Sequence, residues 1–158
     1  LPPSPLGVRS LPSGRLYTFC LIHNIMSDYQ KDFDDWFEVK KRINAEERPS
    51  FAKPGDVRWA CIGVNVGSEI DGKGTGSHTR PVLLLEIVGK HLALVVPFSS
   101  KLHKRPGYVR FQVGDKDMSL CVHQVRVISQ KRLLKRIAHI ADTRLDEAKR
   151  EVRRFWRL

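Results

Sequence analysis

Between Asp56 and Ile128 the chain is a series of short apolar runs separated by glycine turns and polar loops, a pattern that only a sheet-based fold satisfies. The runs predict strands over Asp56–Val64, Pro81–Val88, His91–Val96, Tyr108–Val113 and Met118–Ile128. In the first, alternation puts Val57, Trp59 and Cys61 on one face, with Gly63 continuing it. Gly89-Lys90 and Gly114-Asp115 supply hairpin turns, because glycine accepts the positive φ such turns need. A glycine-rich loop, Gly67–Gly76, and a polar loop, Ser99–Gly107, separate the other runs. Short strands at this spacing predict a small barrel, which leaves no open sheet edge.

Helical patterns flank this region. Ser27 and Gln30 have the spacing of a capping box, and Tyr29, Phe33, Trp36, Phe37 and Ile43 recur at helical steps. They predict an amphipathic helix over Asp28–Asn44, whose aromatic stripe serves either core packing, the favoured reading, or base stacking. Two helices are predicted to close the chain. Ser129 caps the first, with Leu133, Leu134, Ile137 and Ile140 on one side. Asp142 caps the second, with Leu145, Ala148, Val152 and Phe155 in a row. The expected class is α+β, mainly β: a small barrel with an N-terminal helix and two C-terminal helices.

Residues 1–14 hold four prolines, two glycines and three serines, a composition that reads as disordered. The first methionine is Met26, immediately before the helix signals. The expected organisation is a leader or translated upstream stretch over 1–25, a helix and linker over 26–53, and the barrel with its helices over 54–158. Arg48-Pro49 and Lys53-Pro54-Gly55 punctuate the linker.

The net charge is +11, and residues 131–158 alone carry ten bases against four acids. Such a surplus favours a polyanionic partner. Cys20, Cys61 and Cys121 form no C-x-x-C pair and no disulfide framework, so a reducing cytoplasm is expected. No apolar run is long enough to cross a bilayer, and no membrane partner is expected. The six histidines show no metal-ligand spacing, so neither a metal nor an organic cofactor is expected.

One arginine, one carboxylate and two hydroxyls fall at strand ends, a set suited to a phosphodiester. Pro81 holds Arg80 extended where a loop enters an apolar strand. A guanidinium there offers a planar donor fork for phosphate oxygens, or forms an ordinary ion pair with Glu69 or Asp71. Ser99 and Ser100 end the run Val95-Val96-Pro97-Phe98, where hydroxyls can donate to a phosphate oxygen. Glu69 can orient Arg80 or accept a proton from a ribose 2′-hydroxyl. His78 and His103 lie in the two polar loops, as acid–base groups or as solvated bystanders. The glycine loop lacks the G-K-[ST] ending of a P-loop.

Taken in order, Gly55-Asp56 and Trp59, Gly67-Ser68-Glu69, Arg80-Pro81, Val96-Pro97-Phe98-Ser99-Ser100-Lys101 and Gln124-Val125-Arg126 resemble the PemK/MazF toxins of type II toxin–antitoxin systems. The segment Lys131–Leu133 and the final helix also fit, and the Met26 helix resembles a longer subgroup. The resemblance implies an SH3-like barrel of the CcdB/MazF type, acting as a homodimer. It implies sequence-selective, metal-independent cleavage of single-stranded RNA by attack of the 2′-hydroxyl, leaving a 2′,3′-cyclic phosphate and a 5′-hydroxyl. It implies an acidic antitoxin partner and a bacterial cytoplasmic setting.

Carried over residue by residue, Arg80 matches the catalytic arginine, Ser99 the catalytic hydroxyl (often threonine in the family) and Glu69 the acidic loop residue. Gln124 falls near the RNA pocket. Ser100, Lys101, Lys104, Arg105 and His78 complete the expected RNA-binding set. Arginine stays protonated, so Arg80 is expected to stabilise the pentacoordinate phosphorane, with Ser99 adding a hydrogen bond. Base duty falls to Glu69, water or another nucleotide. Two other readings stay open: a barrel that binds nucleic acid without cutting it, and a protein-directed toxin of the gyrase-poisoning type.

Overall fold

The computed structural model describes residues 30–48, 51–74 and 76–158. Lys31–Leu158 form one compact unit. Met26, Ser27, Tyr29, Cys20 and the expected leader lie outside the described residues.

Seven antiparallel strands make the sheet: β1 (Asp56–Cys61), β2 (Thr79–Val88), β3 (Leu92–Ser99), β4 (Tyr108–Val113), β5 (Lys116–Cys121), β6 (Arg126–Ser129) and β7 (Leu133–His139). Their order is β4-β5-β3-β2-β1-β7, with β6 paired to β3 off that path. One edge of β3 is shared: Leu92–Val95 pair with β6, and Phe98 and Ser99 pair with β5. The apolar run Pro81–Leu85 within β2 follows from this placement, since both its faces are covered. Leu83 and Leu85 join a core with Val57, Val96, Phe98, Phe111 and Leu120. Val82 and Leu84 join another with Ala60, Ile62, Val95, Ile128 and Leu133. A bulge at Leu85 shifts the β2–β3 register between Leu84 and Glu86.

Helix α1 (Phe33–Ala45) starts later than the predicted Asp28, and Asp32 caps it by accepting from the Asp35 N–H at 2.9 Å. Its aromatic stripe divides. Trp36, Val39 and Ile43 pack against Cys61 and Val64, whereas Phe33 and Phe37 are exposed. Gly63 makes the seat for Trp36: its φ is +90°, and a Cβ there would stand 2.1 Å from Trp36 Cε2.

Three expectations are corrected. The strand foreseen over Met118–Ile128 is broken by a 3₁₀ turn at Val122–Gln124, which lets its halves pair with different ends of β3. The first strand ends at Cys61, short of the predicted Val64, and of the face it was given Val57 and Cys61 are buried while Trp59 is exposed. The first of the two predicted C-terminal helices is strand β7. Leu133, Leu134, Ile137 and Ile140 have helical spacing, but pairing along β1 satisfies the backbone instead. Ser129 caps only a 3₁₀ turn, Gln130–Arg132, accepting from the Lys131 N–H. Helix α2 (Asp142–Trp156) forms as expected and buries Leu145, Ala148 and Val152. Its N-cap is Ala141 rather than Asp142.

Among the described residues no helix is long and apolar enough to cross a membrane. Nor do three or more His, Cys, Asp or Glu gather there in a metal-binding group.

Candidate active site

Arg80 enters at the start of β2, and its guanidinium is fixed by backbone. Nε donates to Asp71 O at 2.7 Å and Nη1 to Phe98 O at 3.1 Å. The second bond ties it to the residue before Ser99. The β2–β3 register points the same way: Val82 opposes Pro97, and two residues further on each strand come Arg80 and Ser99. Arg80 also lines a cleft of about 680 Å³. Ser100, Trp59, Thr79, Lys73, Lys116 and Ile137 share its wall.

Ser99 and Ser100 differ in exposure. Ser100 is exposed and lines the cleft. Ser99 is buried at the end of β3. Its Oγ accepts from the Lys101 N–H at 3.3 Å and lies 3.3 Å from His103 Nε2. His103 is itself held, since its N–H donates to Ser119 Oγ at 2.9 Å. Its ring lies on Tyr108, with centroids 4.3 Å apart. Tyr108 continues into His123 at 4.6 Å, and the His123 Nδ1–H donates to Gly107 O at 2.7 Å. Lys101, Lys104 and Arg105 are exposed beside this row, with Arg105 5.5 Å from the Tyr108 centroid.

The glycine-rich loop is tied down at several points. Gln124 Oε1 accepts from the Ile70 N–H at 3.2 Å, and Gln124 Nε2 donates to Ser68 O at 3.2 Å. Lys31 pairs with Asp71 at 3.2 Å and donates to Asn65 O and Gly67 O. Glu69 is exposed on this loop, and its charge with that of Asp71 acts on Arg126. Burial is the larger influence on Arg126 and pulls its pKa below the usual arginine value.

Two of the expected RNA-binding residues also carry contacts within the fold. His78 is buried, with Nε2 2.6 Å from Asp35 Oδ2 and its ring edge-on to Trp36. Its backbone has φ +44°, and this packing holds α1 against the loop. Gln124 bonds the loop backbone through both ends of its amide. Polar residues in or beside loops look alike in sequence, whether they tether or bind. Conversely, Trp59, Lys73, Thr79, Lys116 and Ile137 line the cleft without having been foreseen. The alternation that groups Trp59 with Val57 and Cys61 gives no sign that it opens on the cleft.

A sequence model of the PemK-like, MazF-like toxins of type II toxin–antitoxin systems matches residues 53–156. Among solved structures, MazF from Deinococcus radiodurans superposes with a TM-score of 0.53 at 17% identity, over 68% of this chain and 97% of that one. The MazE–MazF structure from the same organism gives a TM-score of 0.50 at 15% identity, over 68% and 96% of the two chains. No curated protein sequence matches the chain. The family match spans β1 to the end of α2 and includes every residue of the Arg80 cleft, so the chain belongs to the PemK-like, MazF-like toxins.

Proposed function

We propose that the protein is a metal-independent endoribonuclease that cuts single-stranded RNA by 2′-hydroxyl attack. The observation that carries this reading is the Arg80 guanidinium, fixed between Asp71 O and Phe98 O on the wall of a cleft beside the Ser99-Ser100 pair. A donor fork already oriented by backbone needs little reorganisation when charge develops on a phosphorane. Arg80 stabilises that charge, the Ser100 hydroxyl donates to a non-bridging oxygen, and Ser99 accepts from the attacking 2′-hydroxyl. As the 2′-oxygen bonds to phosphorus, the P–O5′ bond breaks, leaving a 2′,3′-cyclic phosphate and a 5′-hydroxyl. Lys73 and Lys116 in the cleft, and Lys101, Lys104 and Arg105 beside it, suit the flanking phosphates.

The likeness to a MazE–MazF structure supports an acidic antitoxin as partner, its extended segment occupying the same basic surface. The working form is proposed to be a homodimer in the bacterial cytoplasm.

The test is cleavage of end-labelled RNA in excess EDTA by the wild type and Arg80→Lys. Discrete cuts with cyclic phosphate ends, slowed about a hundredfold or more in the variant, are expected. Absence of cutting by the folded wild type across several long RNAs overturns the reading in favour of a non-catalytic binding barrel or a protein-directed toxin.

A further inference from the structure

Cleavage by a 2′-hydroxyl needs a group that takes its proton, and arginine is a poor one at neutral pH. The exposed Glu69 sits on a loop pinned by other side chains and makes no hydrogen bond to either serine. Behind Ser99, in contrast, stands an imidazole. His103 Nε2 is 3.3 Å from Ser99 Oγ, within reach of a proton transfer. The Ser99 oxygen already accepts from the Lys101 N–H, which leaves its single hydrogen for His103 and polarises it. The imidazole is held in place by Ser119 Oγ on its backbone and Tyr108 on its ring.

We infer that Ser99 and His103 form a proton relay, in which His103 takes through Ser99 the proton lost by the attacking 2′-hydroxyl. This rests on the endoribonuclease reading above. As the 2′-oxygen bonds to phosphorus, its proton moves to Ser99 Oγ while the Ser99 hydroxyl proton moves to His103 Nε2. The P–O5′ bond breaks, and the leaving oxygen takes a proton from water. The imidazolium then returns its proton to solvent, so nothing is consumed beyond the RNA bond. His103 is a positioning and proton-holding residue behind Ser99. The groups that face it are Ser99 and Lys101 from the end of β3, Ser119 from β5, and Tyr108 from β4. Arg105 and His123 contact that same tyrosine ring.

The test is single-turnover cleavage from pH 5 to 9 by wild type, His103→Gln, Ser99→Ala and the double variant. The glutamine amide can still hydrogen-bond to Ser99 but does not titrate. The wild-type rate should climb with pH and bend to a plateau within that range. His103→Gln should lose about a hundredfold at the plateau and show no bend. Ser99→Ala should lose as much, and the double variant no more than either. Additive losses, or a His103→Gln profile that keeps its bend, overturn the relay while leaving the ribonuclease standing. A folded wild type that cuts no RNA removes both.

Discussion

Asp35 Oδ2 lies 2.6 Å from His78 Nε2, joining the first turn of α1 to the residue two places before Arg80. The imidazole is buried and the carboxylate half-exposed, so the pair itself contributes modestly. Removing the carboxylate nonetheless leaves a buried ring nitrogen without its partner. Asp35→Ala should therefore cost about 1–2 kcal/mol in urea unfolding. Asp35→Asn should recover part of that loss, because its amide oxygen still accepts from Nε2–H. An Asp35→Ala variant within about 0.5 kcal/mol of wild type would show that the contact is incidental.

Gly63 and Trp36 make a sharper case. A Cβ at Gly63 would lie 2.1 Å and 2.3 Å from two atoms of the indole, so the ring must move. Gly67 also has a positive φ, +55°, but nothing lies within 4 Å of its Cβ position. Gly67→Ala should cost only the left-handed backbone penalty, about 1–2 kcal/mol. Gly63→Ala should cost that and about 1–3 kcal/mol more for overpacking. Equal losses in the two variants would mean that α1 does not sit on Gly63 through Trp36.

What was legible in the sequence was what local chemistry decides. Turn glycines, the Arg80-Pro81 entry to β2 and the serines ending β3 are all written within a few residues. The segment Leu133–Ile140 was misread as a helix because four apolar residues carried helical spacing, while its partner strand lies more than seventy residues earlier. The cleft was only partly foreseen for the same reason. Trp59, Ile137 and Lys116 come from β1, β7 and β5, and only sheet pairing brings them to Arg80. His103 was noticed as a loop histidine, but its place behind Ser99 depends on the turn that Lys101 and Ser119 close.

The Gln124 amide is a clamp on the glycine-rich loop, bonding at both Ser68 and Ile70. Gln124→Ala should free that loop locally while leaving global stability within about 1 kcal/mol, as expected for two part-exposed hydrogen bonds. Hydrogen exchange of the Ile70 amide should quicken by about tenfold. Because Asp71 O holds Arg80 Nε, cleavage should fall with it. Unchanged Ile70 exchange would mean that Lys31 and Asp71 hold the loop alone.

Cys121 is fully buried on β5, and burial pushes its thiol up to about 11, the Arg80 charge pulling the other way. In the unfolded chain the same thiol titrates near its ordinary value of 9.0. The folded pKa is the higher one, so its contribution is fully present below pH 9 and is lost as pH rises toward 11. Between pH 8 and 10.5 the wild type should lose about 1–2 kcal/mol more stability than Cys121→Ala, measured by urea unfolding at each pH. Below pH 9 the native thiol should also resist thiol reagents that label the unfolded chain rapidly, since it is neither ionised nor exposed. Equal pH slopes in wild type and variant, together with rapid native labelling, would mean that β5 opens to solvent beneath Arg80.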